Sequence, residues 1–225
     1  VPMSDKYKAT PALLWFYEGR ECDTPDHFNP KRNTKKSKEL GTYSGKIEFV
    51  SQSLKKHLPD DKERPPLPLY IPSWEGYNSK MAKKYPLQLI TPHPRYSFHT
   101  QHDANTSWLS EIPGHRACKD GYFWHPVRIN PEDAAVRGIK NGDIVKLYND
   151  RGAVLCIVEV TERMRPGVLH SYYGSGKYDP IEPGNPNSID RGGCVSILTP
   201  SRMLSRNVPG MAPNSCLVEI ERWEG

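Results

Sequence analysis

No stretch of this sequence comes near the roughly 18 consecutive apolar residues that a membrane-spanning helix requires, so no membrane segment is expected. The opening residues, Val1-Pro2-Met3-Ser4-Asp5-Lys6, lack the basic start and apolar stretch of an export signal. A cytoplasmic location is therefore the expectation. Apolar residues are scarce, at 36% of the 225, while 22 residues are proline. That combination excludes a helix-rich core and implies long irregular stretches. Cysteines are few and scattered: Cys22, Cys118, Cys156, Cys194 and Cys216 include no two within three residues of each other. A paired-cysteine zinc knuckle and a ferredoxin-type cluster run are excluded. The odd count and loose spacing read as reduced thiols. His93, His99 and His102 fit no zinc spacing, and no metal ligand is expected among them. Signatures of nucleophilic catalysis, of a phosphate-binding P-loop and of a dinucleotide-binding glycine run are also missing. No catalytic residue can be named.

The net charge of +5 invites a nucleic-acid reading, but its distribution opposes one. Residues 1–85 hold 16 Lys and Arg against 11 Asp and Glu, and residues 86–225 hold 15 against 15. The excess thus sits in the first segment, largely at Lys31, Arg32, Lys35, Lys36 and Lys38. That run has no interleaved aromatic residues and reads as a solvated loop.

The chain divides by composition. Residues 1–85 are rich in Pro, Lys and Asp and predict an irregular connecting segment, with an alternating stretch at Ile47 and Phe49 and a helical turn over 54–58. Residues 86–225 have a different grain. Strands are predicted over 87–90, 127–129, 144–148, 153–161, 168–172 and 216–220. Asn130 as cap, Pro131 in the first helical position, and Glu132 and Asp133 at the positive end of the dipole predict a short helix over 131–137. Asn149-Asp150-Arg151-Gly152 predicts a hairpin turn. Many short strands and one short helix point to a small closed barrel.

In order along the chain, "SGKIEFVSQSLKK", "PLQLITPHPRYSFHTQ" and "NPEDAAVRGIKNGDIVKLYNDRG" followed by "RPGV" resemble the C-terminal molybdopterin dinucleotide-binding region of the dimethyl sulfoxide reductase family. The resemblance covers nearly the whole chain. It implies a mainly β fold, a double-psi β-barrel over 86–225 preceded by an irregular α/β connecting segment over 1–85. It also implies a share in holding bis(molybdopterin guanine dinucleotide) with Mo or W. "PALLWFYEGRECDTPD", "HTQHDANTSWLSEIPGHR" and "IDRGGCVSILTPSR" resemble the transhydroxylase-type large subunits of that family, which act on polyhydroxylated aromatics. The implied partners are the remaining domains of a large subunit, an iron–sulfur small subunit and a small aromatic substrate. The implied metal ligand and acid–base groups lie in other domains, so the chain by itself is expected to be inactive. The alternative is a stand-alone double-psi barrel used as a protein-binding module.

A pterin dinucleotide carries a doubly negative pyrophosphate between heterocycles. A loop that holds it needs hydroxyls, backbone donors, a cation and partners for ring edges. Residues 91–101 supply them after a buried strand, with two prolines to stiffen the loop. The resemblance carries cofactor contacts onto Thr91, Arg95, Phe98, His99, Thr100 and Gln101. It carries two more onto Ser196 and Asn214. Ser196 stands where the family commonly has an Asn ahead of one residue and Leu-Thr, and a hydroxyl has less reach than an amide. Gly192-Gly193 reads either as a close backbone approach or as a plain turn.

Overall fold

A computed structural model describes residues 44, 46–97, 107–173, 177–211 and 216–225, with backbone only at 107, 204 and 208–211. Packing divides the chain into two units, Val1–Leu69 and Tyr70–Gly225. In the described part of the first unit the one regular element is helix α1 (Gln52–His57), capped by Ser51, whose side chain accepts from the Leu54 amide. Ile47 and Phe49 lie exposed and outside any strand, so their alternation marks no sheet.

The second unit is built on six strands that close into a barrel. They are β1 (Leu87–Ile90), β4 (Pro126–Ile129), β5 (Ile144–Asn149), β6 (Gly152–Val160), β7 (Val168–His170) and β10 (Cys216–Arg222). The order around the barrel is β1, β10, β5, β6, β4, β7. β4 with β6 and β1 with β7 are parallel, and the other neighbours are antiparallel. Closure leaves no free strand edge. The alternation that predicted the strands also fills the core. Leu87, Leu89, Val145, Leu147, Ile129 and Leu169 point inward and are buried, as a period of two requires.

The predicted helix forms as α3 (Pro131–Val136), with α2 (Ser107–Ser110) preceding it in the chain. The Asn130 side chain accepts from the Glu132 amide at 2.8 Å and donates to the Met164 carbonyl at 2.7 Å. Two hairpins that periodicity did not predict lie outside the barrel: β2 (Ala117–Lys119) with β3 (Tyr122–Trp124), and β8 (Met203–Ser205) with β9 (Val208–Met211). The first turns on Asp120-Gly121 at φ 53° and 75°, the left-handed pair that suits a two-residue hairpin loop. Among the described residues no helix is long and apolar enough to cross a membrane.

The segment ahead of β1 is tied to the β5–β6 turn. Glu75 and Arg151 form a two-pronged ion pair, both contacts at 2.8 Å. The Tyr85 hydroxyl donates to Asp150 at 2.8 Å, and Lys84 reaches the same carboxylate. β10 runs past the end of β5, because Glu219 is the last β10 residue to face a β5 partner on that side. The backbone of Leu217 is then satisfied by side chains. Asn149 donates to its carbonyl at 3.1 Å, and Glu75 accepts from its amide at 3.4 Å. Arg151→Met would leave Glu75, which is only 8% exposed, as a buried charge without its partner. A loss of about 3–5 kcal/mol is expected, read as a lower melting temperature. Glu75→Gln added to Arg151→Met should recover part of that loss, because it removes the stranded charge.

Candidate functional site

The site candidate starts where β1 ends. Thr91 is buried at the strand's exit, and residues 92–97 continue as a turn-bearing loop. The chain leaving β7 keeps that loop in place by extending the parallel ladder beyond the strands. The Ser171 amide donates to the Ile90 carbonyl at 3.1 Å, and the Tyr173 amide donates to the Pro92 carbonyl at 3.0 Å. Rings reinforce the backbone. His93 meets Tyr173 edge-on at 4.8 Å, and Tyr96 meets the buried His115 edge-on at 6.0 Å. Arg95 is exposed and lies 5.4 Å from the Tyr96 ring. Among the described residues no carboxylate pairs with it.

A second loop meets this end of the barrel through His125. The ring of His125 shares a 2.9 Å hydrogen bond with the Tyr172 carbonyl. Gly193, at φ 79°, packs so closely that a Cβ there would sit 2.3 Å from the His125 Cβ. The glycine pair is therefore a close approach rather than a plain turn. Behind it Asp190, fully buried, accepts from the Asp179, Gly192 and Cys194 amides at 2.7, 3.0 and 2.7 Å. The carboxylate thus organises the loop over residues 177–194. Its own backbone joins β6, with the Leu155 amide donating to the Asp190 carbonyl at 2.8 Å.

Ser196 is exposed on the single 3-10 turn Val195–Leu198 that follows this loop. It connects to the 91–97 loop through Gly193, His125 and the 171–173 segment. Phe98, His99, Thr100, Gln101 and Asn214 lie outside the described residues. The 171–173 segment and Asp190 had drawn no functional reading from the sequence. Only Gly192-Gly193 hinted at them, because a glycine pair can mark a place where backbone must come close. Three of the described thiols, Cys156, Cys194 and Cys216, are not poised for chemistry. Burial pushes Cys216 up to about 11 and holds Cys156 and Cys194 above the ordinary thiol range.

The donors on the loop suit an anionic, ring-bearing ligand: a guanidinium that meets no carboxylate among the described residues, hydroxyls, and backbone stiffened by Pro92 and Pro94. A cleft of about 930 Å³ lies elsewhere, lined by Tyr122, Trp124, Ile181, Arg191 and Trp223 among others. No residue of the 91–97 loop borders it, and its two guanidinium groups already meet carboxylates, Arg191 with Asp179 and Arg222 with Glu224.

Residues 87–217 match the family described as Molydopterin dinucleotide binding domain. This chain belongs to that family. The match begins at the first residue of β1 and ends within β10, so it spans the barrel and both loops of the site. Relatives agree. The pyrogallol hydroxytransferase large subunit of Pelobacter acidigallici is 46% identical over all of this chain and 26% of its own length. The trimethylamine-N-oxide reductase of Haemophilus influenzae is 35% identical over the whole chain and 26% of its own length. The dimethyl sulfoxide reductase DmsA of Escherichia coli is 37% identical over 85% of the chain and 22% of its own length. The chain thus spans about a quarter of the length of these relatives. In fold it is similar to acetylene hydratase from Pelobacter acetylenicus, with a TM-score of 0.58 over 88% of this chain and 26% of that one, at 18% identity.

Two outcomes follow from the geometry of this molybdopterin dinucleotide-binding domain. Gly193→Ala meets both the left-handed φ and the His125 contact. It should cost more than about 2 kcal/mol, since the backbone term by itself is about 1–2 kcal/mol, and should lower the melting temperature. On the barrel's outer face, burial and then the Arg128 guanidinium hold His170 below the ordinary imidazole range. Arg128 lies 3.1 Å from His170 Nδ1 and also pairs with Glu159. The unfolded chain then takes up a proton that the folded imidazole refuses. Stability from this residue is full above the unfolded value of about 6.5 and declines as pH falls below it. His170→Gln should flatten the dependence of melting temperature on pH between 7 and 5.

Proposed function

We propose that this chain is the cofactor-clamping part of an oxidoreductase large subunit. Together with the subunit's remaining domains it holds bis(molybdopterin guanine dinucleotide) carrying molybdenum or tungsten. The observation that carries this reading is the 91–97 loop itself. It is donor-rich and free of acid, and it is fixed on one side by the 171–173 backbone. When bound, the cofactor's metal supplies the redox chemistry. The chain's own groups bind and orient. Arg95 offers a fork of donors to the pyrophosphate or a pterin oxygen, and Thr91, Thr100 and Ser196 offer hydroxyls. His99 and Gln101 read heterocycle edges, and Phe98 and Asn214 add contacts to the cofactor.

The parent enzyme is transhydroxylase-like in this reading and acts on a polyhydroxylated aromatic, beside an iron–sulfur small subunit in the cytoplasm. The identity to the pyrogallol hydroxytransferase large subunit over the entire chain supports that assignment.

Arg95 provides the test. Its exposed position means that Arg95→Ala should change the stability of the apo-protein by no more than about 0.5 kcal/mol. Each charge-assisted hydrogen bond to phosphate is worth ~1.5–3 kcal/mol, so cofactor occupancy should drop markedly. Arg95→Lys should restore it only in part, because an ammonium keeps the charge and loses the fork. Metal and pterin content per large subunit, beside a thermal melt, reads both effects. Full occupancy in Arg95→Ala would make the loop an ordinary surface turn.

A further inference from the structure

The stretch that leads into β1 carries a surface that the cofactor reading leaves unused. Tyr70 and Tyr77 are 78% and 75% exposed, and Ile71 is 51% exposed. Trp74 stands between them with one face covered by Arg202, 4.1 Å from the ring. Four large apolar side chains exposed within eight residues, with Tyr70 and Tyr77 on one cleft, are denser than the scattered exposure normal for a surface.

Charge deepens the contrast. Residues 65–79 contain one charged side chain, Glu75, and its charge is turned inward to Arg151. In a chain that is 25% charged, fifteen residues would ordinarily carry about four. Lys62, Glu63 and Arg64 precede this gap, and Lys80, Lys83 and Lys84 follow it. The patch is also held in shape. The Glu75–Arg151 pair anchors its middle, and the Ser79 amide donates to the Gly76 carbonyl at 2.8 Å. Between Tyr70, Pro72, Tyr77 and Gln88 lies a cleft of about 260 Å³, room for a side chain of a partner.

We propose that residues 70–77 are the seat on which an uncharged, apolar surface from the rest of the large subunit docks. The inference rests on the reading of this chain as part of such a subunit. Three features favour that occupant. The relatives have about three-quarters of their length outside the region this chain matches. Interfaces that are never exposed are the apolar, charge-depleted ones. A seat already rigid before contact loses little order on docking, as suits a permanent contact within one polypeptide.

The test is hydroxyl-radical footprinting of the purified full-length large subunit, with metal and pterin content measured on the same sample. Tyr70 and Tyr77 should oxidise several-fold more slowly than in the denatured subunit, at every protein concentration. Tyr70→Ser with Tyr77→Ser should lower the melting temperature of the full-length subunit and leave cofactor per protein unchanged. Oxidation at the denatured rate would overturn the proposal. So would protection that grows with protein concentration, which marks a second copy, or protection that needs an added small subunit. Protected tyrosines in a subunit that never carries pterin would uphold the docking seat and sink the cofactor reading instead.

Discussion

The start of β10 sets the terms for the rest of the barrel. A strand that outruns its neighbour exposes backbone groups that a closed barrel cannot leave unpaired. Here three side chains from two distant places take over from the missing strand. Asn149 covers the Leu217 carbonyl and also donates to the Leu198 carbonyl at 2.8 Å, and Glu75 covers the Leu217 amide. Arg151 holds Glu75 in position and donates through Nε to the same Leu198 carbonyl at 2.7 Å. The cluster therefore joins the segment before β1, the β5–β6 turn, the 3-10 turn that carries Ser196, and β10. Such a pair adds little net stability over an apolar replacement, but losing one partner is costly.

The site depends on that closure because its parts come from separate crossings of the barrel. The 91–97 loop leaves β1, the 171–173 segment leaves β7, and His125 precedes β4. The parallel pairing of β1 with β7 puts two chain exits side by side at one end. Parallel strands have that property, and antiparallel neighbours do not. The Asp190 carboxylate then folds the long 177–194 loop back onto β6, so Gly193 reaches His125. Prolines on one side and a buried carboxylate on the other hold the backbone before any ligand arrives.

Much of the barrel was legible residue by residue. β1 was bounded correctly, and the other barrel strands fell within a residue or two of their predicted ends. Burial on one face writes a period of two into the sequence. The α3 helix was equally plain, because its cap, proline and acids are local devices that act within one turn. The β2–β3 hairpin was missed even though Asp120-Gly121 is a turn signal. Its strands are only three residues long and half-buried, too short to show a period. The alternation of Ile47 and Phe49 forms no strand, in keeping with an irregular segment, since two exposed apolar residues need no sheet to hide in.

The sequence by itself determined the barrel strands, the α3 helix and the family of the barrel, because each rests on spacing along the chain or on order of motifs. It also supplied the chemistry of the 91–97 loop, since donors and prolines can be counted without coordinates. Only the tertiary structure decided which groups surround that loop. Ser171, Tyr172 and Tyr173 lie some 80 residues away along the chain, and a parallel strand pair brings them alongside. Only the fold could show that Glu75, which in sequence is one acid in a proline-rich stretch, meets Arg151 and completes β10. Long-range pairing of this kind depends on closure of the whole ring of strands, and no local pattern encodes it.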